Sequence, residues 1–134
     1  MDLQALTARL REGVPLAGLL EIEAIALEPL TIRMPPAAIS LRPGGTVSGP
    51  ALMALADVAM WAALLVANGA EDLSRTTQLS IQFLRAVAPG AVIAEPRILK
   101  PGRTLIYGDV WIRGEGETRP AAHVTTQWAA VPAR

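Results

Sequence analysis

Residues 42–69 read RPGGTVSGPALMALADVAMWAALLVANG, and this stretch decides the fold. A loop rich in glycine and proline leads into a run that is apolar at every position except Asp57. The Gly-Pro pair at 49–50 suits a helix start, because proline fixes φ and lacks only an N–H that the first turn leaves unpaired. Gly69 suits the helix end, since glycine adopts the left-handed conformation of a C-cap. The sequence therefore predicts a helix over residues 50–68.

A helix that is apolar on every side is either buried in protein or spans a membrane. Burial is favoured here, because the run is rich in alanine, short for a membrane span, and carries a carboxylate at its middle. Burying an unpaired carboxylate is costly and raises its pKa. Asp57 is therefore either a structural hydrogen-bond acceptor or a group that does chemistry, and the helix alone leaves both interpretations open.

The composition excludes several classes of protein. A chain of 134 residues that is 51% hydrophobic can build one real core, so we expect a single domain over residues 1–134. With 12 basic and 12 acidic residues, the formal net charge is zero, and no basic field exists to attract nucleic acid or an anionic membrane. The absence of cysteine and the single histidine argue against thiolate and conventional zinc sites, so we expect neither a metal nor a cofactor.

The surface and the N-terminus suggest where the protein works and in what state. Near-neutral charge together with high hydrophobic content indicates that another subunit covers part of the apolar surface. The first residues, MDLQALTARLREG, carry scattered charges and lack the apolar core of a signal peptide, so we expect a cytoplasmic protein.

The rest of the chain alternates like an antiparallel sheet. Leucines at helical spacing predict a short amphipathic helix over residues 2–12, and two strands are predicted to meet near residues 28–29. After the apolar helix, RTTQLSIQFL alternates as a half-buried strand, with Thr77 on the face of the following apolar residues. Short turns then separate three more strands, of which the first contains Pro96 and is expected at an edge or a bulge. These three strands are predicted over residues 92–99, 104–113 and 121–131.

This α+β pattern resembles the hotdog fold, in which an antiparallel sheet wraps around one long central helix. The specific resemblance is to acyl-CoA thioesterases of the phenylacetate-pathway (PaaI-like) type. Those enzymes carry Asn-x5-His-Gly-Gly before the helix, and then Leu-Ala-Asp or Leu-Ala-Glu on it. Here the loop reads RPGGTVSGP over residues 42–50, and Leu-Ala-Asp occupies residues 55–57. TTQLSIQFLR at residues 76–85 is similar to the family's Thr-Val-Asp-Leu-x-Ile-x-Phe-Leu-Arg.

Three loop positions depart from the family's pattern. Arg42 stands in place of asparagine, Ser48 in place of histidine, and Pro50 in place of the second glycine. Ser48, which the resemblance places among the catalytic positions, is also a candidate helix cap. Arg42 has two open roles: it could lower the pKa of Asp57, or it could bind a carboxylate or phosphate of the substrate. The helix-start glycine, Gly49, and the acid are retained.

The resemblance implies hydrolysis of a small or medium acyl-CoA to the free acid and CoA. Such chemistry needs a carboxylate that attacks the carbonyl or activates water, which Asp57 fits, with nucleophile and base both open. It also needs a donor for the developing oxyanion, which the Gly49 N–H fits. Eight helical residues hold these groups about 12 Å apart within one chain. In the family the site is shared between subunits, so a homodimer or homotetramer is expected.

The resemblance assigns further residues around the substrate. Thr76 and Thr77, at the start of a strand, would help to position the attacking water, although β-propensity explains threonines there equally well. Arg103 and Thr104 lie where related enzymes contact the CoA nucleotide, although hairpin charges are often simply solvated. Trp61, one helical turn beyond the acid, belongs either to the core or interface or to the wall of the acyl pocket.

Two other functions stay open. One is a non-catalytic hotdog protein that binds an acyl-CoA or a related ligand, its altered loop marking lost activity. The other, weaker alternative is a hydratase or dehydratase, because those hotdog enzymes rely on a histidine in the site. The single histidine, His123, shares the outer, polar side of the last strand, where we expect a surface or subunit contact.

Overall fold

A computed structural model describes residues 1–131, so the last three residues of the expected domain lie outside the described part. Its helices are α1 (Leu3–Gly13), α2 (Pro15–Leu19) and α3 (Gly49–Asn68), with a short 3₁₀ turn at Ala38–Ser40. Its strands are β1 (Glu23–Leu27), β2 (Leu30–Met34), β3 (Arg75–Phe83), β4 (Val92–Pro101), β5 (Leu105–Gly114) and β6 (Ala122–Ala129).

The six strands form one antiparallel sheet in the order β1-β2-β4-β5-β6-β3. The inward side chains of the central strands pack on α3, which confirms the predicted hotdog arrangement of a sheet around a long helix. β2 pairs with β4 only over residues 92–94. Pro96 therefore lies where β4 has a free edge on that side, as predicted, and its missing N–H breaks no ladder there.

The central helix begins and ends within one residue of the predicted range. Ser48 caps it, because its Oγ accepts a hydrogen bond from the Ala51 N–H at 3.2 Å. Gly69 follows the last turn with a φ of 108°, a conformation that favours glycine. The helix is long and apolar enough to cross a membrane, but most of it is buried inside the protein as the core helix.

One small residue sets how closely the helix approaches the sheet. Gly108 faces α3 from the middle of β5, and a Cβ at this position would lie 2.2 Å from the Met60 Cε. The missing side chain makes room for Met60, which is completely buried. Close packing of this kind is one reason for a glycine inside a strand.

The N-terminal segment packs against α3. The predicted first helix is confirmed and is capped by Asp2, which accepts a hydrogen bond from the Ala5 N–H at 2.7 Å. Leu6 and Leu10 of α1 are fully buried in the core. The short helix α2 was not predicted, because five residues carry too little periodicity to be recognised. Pro15 begins it, in the position where proline costs no hydrogen bond.

Candidate active site

Asp57 lies at the middle of α3, half-buried, and is the one charged residue of that helix. The Thr76 hydroxyl, at the start of β3, donates a hydrogen bond to Asp57 Oδ1 at 2.5 Å. Burial raises the pKa of Asp57 above its ordinary value, and the bond from Thr76 partly offsets that rise by favouring the charged form. Among residues 1–131, Oδ2 has no hydrogen-bond partner, so this oxygen is available for chemistry.

A β-bulge determines which threonine reaches the acid. Thr76 pairs with Trp128 of β6, and the next paired residue is Gln78, so Thr77 is the extra residue of the bulge. Thr77 is exposed and its hydroxyl donates to the Gln127 carbonyl at 3.1 Å. The prediction that Thr77 shares the inward face of the following apolar residues is therefore wrong, because the bulge gives the inward place to Thr76. The assignment of Thr77 to substrate binding stays a prediction.

Asp57 opens into a cleft of about 390 Å³. Trp61 is buried in its wall, held by a hydrogen bond from Nε1 to the Asp72 carbonyl at 3.2 Å. The Arg9 guanidinium lies 5.0 Å from the centre of the Trp61 ring. Gly13 completes the packing, since a Cβ there would lie 2.3 Å from the indole. Trp61 therefore belongs to the core and also lines this cleft, while its role as a wall of the acyl pocket stays a prediction. Other apolar walls come from Val14, Val58, Leu73 and Trp128.

Gly49 opens into a different cleft, of about 440 Å³. Its N–H has no hydrogen-bond partner in the described part of the chain and lies at the positive end of α3. Ser48 beside it is a helix cap, and its hydroxyl is thereby tied to the backbone. Arg42 and Arg85 contribute the charges of this cleft, and its other walls are Val47, Leu52, Phe83, Leu84, Ala86 and Val87.

Within residues 1–131, the two clefts have no lining residue in common. One chain brings Asp57, Thr76 and Trp61 together, and it brings Gly49 and Arg42 together, but it does not join the two groups. Arg42 consequently does not pair with the Asp57 of its own chain, and that possible role is excluded within the protomer.

The β4–β5 hairpin carries two further predicted residues. Arg103 and Thr104 are exposed, and the Thr104 carbonyl accepts a hydrogen bond from the Ala130 N–H at 2.9 Å. The ladders align the start of β5 with the end of β6 and the start of β3. The hairpin therefore lies at the same end of the sheet as Thr76, but neither of its two residues lines the Asp57 cleft.

His123 belongs to an ion cluster on the outer face of the sheet. Its Nε2 lies 2.9 Å from Asp109 Oδ2, and Arg97 bonds both oxygens of Asp109 at 2.8 and 3.0 Å. Burial acts to raise the pKa of Asp109, but the bonds from Arg97 and His123 outweigh it and lower that pKa. The His123 ring also stacks at 4.0 Å on Trp111. Sequence analysis missed this cluster, because the sequence shows opposite charges on β4 and β5 but not that Arg97 and Asp109 face each other.

Sequence analysis also missed Arg85 as a site residue. It follows the end of β3 and lines both the Gly49 cleft and a neighbouring cleft of about 490 Å³. The signal was present, because Arg85 closes the Phe-Leu-Arg part of the strand that resembles the family.

Comparisons with known proteins identify the family and agree with the fold. A family model, the thioesterase superfamily, matches residues 44–121, which is more than half of the chain. A candidate thioesterase of Silicibacter sp. TM1040 has a similar solved structure, with 37% identity over 98% of this chain and 93% of that chain, and a TM-score of 0.85. A mutant thioesterase of Pseudomonas aeruginosa is 26% identical over 98% of this chain and 95% of that one, with a TM-score of 0.85.

A more distant structure shares the fold. The PaaI protein of E. coli, from the phenylacetic acid degradation operon, is 19% identical over 96% of this chain and 97% of that chain, with a TM-score of 0.78. A search of curated proteins found no match. The family model and the thioesterase-named relatives support thioester hydrolysis as the general activity. The chain belongs to the thioesterase superfamily.

Proposed function

We propose that this protein hydrolyses the thioester bond of a small or medium acyl-CoA, releasing the free acid and CoA. The observation that carries the proposal is Asp57, a carboxylate with a raised pKa in a cleft, held through one oxygen by Thr76 with the other oxygen available. A base or nucleophile with a pKa moved toward neutrality suits proton transfer in neutral solution.

The chemistry divides between the acid and the helix start. Asp57 either takes a proton from the attacking water or attacks the carbonyl carbon itself to form an anhydride that water then opens. In either case a C–O bond forms, the C–S bond breaks, and the thiolate of CoA leaves and takes up a proton. The Gly49 N–H, at the positive end of α3, stabilises the negative charge that develops on the carbonyl oxygen.

A second copy of the chain is needed to complete the site. Asp57 and Gly49 are separated by about 12 Å along one helix, whereas both must lie near 3 Å from the reacting group. They also open into separate clefts of one chain. We therefore propose a homodimer, or a tetramer built from such dimers, in which Asp57 works on a thioester held by the partner's Gly49.

Strand β3 offers the surface for this dimer. It pairs with β6 on one side, and its other edge is unpaired among the described residues. An exposed strand edge invites pairing with another chain. If two copies of the nine-residue strand β3 pair about a twofold axis, they run antiparallel. The start of one β3 then lies opposite the end of the other.

That pairing would bring the two half-sites together. Thr76 at the start of β3 contacts Asp57, and Phe83 at its end lies beside Gly49, where a Cβ would be 3.4 Å from the ring. Antiparallel pairing centred near Leu79 would set Thr76 beside the partner's Phe83. Asp57 of one chain would then approach the partner's Gly49, and each dimer would hold two equivalent sites.

Release of free thiol from a panel of acyl-CoA thioesters tests the activity. The panel spans acetyl-CoA to decanoyl-CoA and includes aromatic acyl groups, with Asp57→Asn as the matched inactive control. We expect turnover that depends on Asp57 for at least one member. No release above the control with any thioester would remove the enzymatic proposal and favour a binding protein that does not turn over its ligand.

The shared site has its own test. Light scattering at micromolar concentration should give the mass of a dimer or a tetramer. A monomeric mass in a preparation that hydrolyses thioesters at the full rate would remove the shared site.

A further inference from the structure

The Gly49 cleft has an unbalanced charge. In the part of the chain that the structure describes, Arg42 and Arg85 are its charged residues and no carboxylate lines it. Among residues 1–131, the Arg42 side chain has no salt bridge or hydrogen bond, and Arg85 uses Nη1 to donate to the Pro120 carbonyl at 2.6 Å. Two guanidinium groups beside an otherwise apolar wall suit a ligand with an apolar body and an anionic group.

The backbone presents both arginines from fixed positions. The Arg42 N–H donates to the Thr46 carbonyl and the Gly45 N–H donates to the Arg42 carbonyl, both at 3.0 Å. Gly44 and Gly45, with φ values of 97° and 87°, allow this tight turn. The Arg85 N–H donates to the Ala121 carbonyl at 3.1 Å. Each guanidinium is therefore carried by a backbone that is already hydrogen-bonded.

Resting on the proposed function, we propose that the acyl group of the substrate itself carries a carboxylate, which Arg42 and Arg85 bind. The substrate class is then the monothioester of a dicarboxylic acid, such as an adipyl thioester. Its carbonyl lies at Gly49, its methylene chain lies on the apolar wall, and its far carboxylate lies between the two guanidinium groups.

The length of the pantetheine arm argues against a CoA phosphate as the group that Arg42 and Arg85 bind. The pantetheine arm between the sulfur and the nearest phosphate has about as many backbone bonds as four residues, and it extends roughly 14 Å. A thioester held at Gly49 and a phosphate at Arg42 would therefore have to fold that whole arm inside a cleft of about 440 Å³. A carboxylate on a short acyl chain fits in the same cleft without such folding.

Four substrates separate the possible ligands of Arg42. Adipyl and hexanoyl thioesters have the same chain length and differ in the terminal carboxylate. Each is prepared as the CoA thioester and as the N-acetylcysteamine thioester, which has no phosphate. The kcat/KM of each is measured for the wild type, Arg42→Gln, Arg42→Lys, and Arg113→Gln, a charge-matched control on the outer sheet face that pairs with Glu95 at 3.1 Å.

We expect the wild type to prefer adipyl over hexanoyl thioesters with either leaving group. In Arg42→Gln that preference should fall roughly 10- to 100-fold, as for the loss of a hydrogen bond to a charged group. Arg42→Lys should restore part of it, because the ammonium keeps the charge and loses the planar fork. Arg113→Gln should keep the wild-type preference.

Three other outcomes would overturn the inference. If Arg42→Gln lowers kcat/KM for both CoA thioesters and for neither N-acetylcysteamine thioester, Arg42 binds a phosphate of CoA. If Arg42→Gln lowers kcat/KM equally for all four thioesters, Arg42 acts at the reaction centre, for example by pairing with the partner's Asp57. A wild type that hydrolyses hexanoyl as well as adipyl thioesters would remove the inference and leave the proposed function standing. If the wild type hydrolyses none of these four thioesters and none of the wider panel, the proposed function itself is removed.

Discussion

Thr76 and Asp57 are 19 residues apart in sequence, and the Thr76 hydroxyl donates a hydrogen bond to Asp57 Oδ1 at 2.5 Å. The bond joins the edge strand to the central helix, and it opposes the effect of burial on the carboxyl. The pKa of Asp57 thus depends on a residue of the strand that would form the dimer.

Removing this hydroxyl should shift the pH profile of the reaction. In Thr76→Val the pKa of Asp57 should rise further, because the charged carboxylate loses a donor. The acidic limb of kcat/KM against pH, which reports the base of the free enzyme, should move to higher pH. Thr76→Ser keeps the donor and should keep the wild-type limb. An acidic limb at the same pH in all three proteins would show that this bond does not tune the catalytic group.

Replacing the acid should stop the reaction. Asp57→Asn keeps the shape of the side chain and removes the base, so turnover should fall by a factor of roughly 10² or more. Thiol release from the preferred acyl-CoA measures the loss. Normal turnover in a folded Asp57→Asn protein would make Asp57 a structural carboxylate.

The same substitution should change stability in a way that depends on pH. The folded-state pKa of Asp57 lies above its ordinary value of 3.8, so folding disfavours the charged form. The resulting penalty is absent below the unfolded pKa, grows as pH rises toward the folded pKa, and is complete above it. Asp57→Asn should therefore melt at a higher temperature than the wild type at pH 7, with the gap closing toward pH 3.8. A lower melting temperature at pH 7 would show that the carboxylate is satisfied and structural.

A single substitution can remove the Gly49 N–H with little other change to the helix start. Gly49→Pro deletes this N–H at a position where helices accept proline, and Ser48 already has the extended backbone that precedes a proline. Turnover should fall by roughly 10²–10³, the scale of a lost oxyanion donor. Gly49→Ala keeps the N–H, and its Cβ would lie 3.4 Å from Phe83. This control should therefore keep most of the activity.

Mixing two inactive proteins tests whether the site is shared. Asp57→Asn and Gly49→Pro each disable one half of both sites in a homodimer. After subunit exchange, a mixed dimer has one site with both defects and one site with neither. Half of the dimers in an equal mixture should be mixed, so activity should return to about a quarter of the wild-type value. No recovery in a mixture whose exchange is verified by mass would contradict a site built from two chains.

The outer-face cluster should contribute to stability and not to turnover. Folding lowers the pKa of Asp109, so its contribution is complete above the unfolded pKa and is lost as pH falls through the folded pKa. Asp109→Asn should lower the free energy of unfolding at pH 7 by about 1.5–3 kcal/mol, with the loss shrinking below pH 3.8. Glu95→Gln, which breaks a more exposed pair with Arg113, should change it by less than about 1 kcal/mol. Equal effects in urea titrations of the two variants would contradict a special role for Asp109.

The sequence predicts best those helices and strands whose apolar residues follow a regular, repeating pattern. The run around Asp57 and the alternation of the last strands depend on side-chain pattern alone, so their bounds agree with the structure to within a few residues. The helix α2 and the bulge at Thr77 escape this reasoning, because each is a local deviation shorter than the pattern that reveals it. The bulge matters most, since it exchanges the places of two adjacent threonines.

The sequence was enough to predict which residues belong to the candidate site, but not how they are arranged relative to one another. Asp57 is conspicuous as one charge in an apolar helix, and the glycine before Pro50 marks the helix start. Helical rise alone keeps the two about 12 Å apart within one chain. Only the structure shows that they open into separate clefts and that, among residues 1–131, no carboxylate lines the cleft of Arg42. The ion cluster of Asp109 was hidden for a related reason, because it depends on cross-strand register that alternation does not specify.

The order of elements along the chain has a consequence for biosynthesis. The apolar helix α3 ends at Asn68, whereas the strands β4, β5 and β6 that cover it are completed only at Ala129. At a synthesis rate of roughly 5–20 residues per second, a ribosome needs on the order of 3–12 s to make that remaining stretch. During this interval the nascent chain holds a 20-residue segment apolar enough to enter a membrane, without the sheet that buries it. Chaperones that shield hydrophobic nascent segments should therefore meet this protein at α3, and premature termination before β5 should yield an aggregating product.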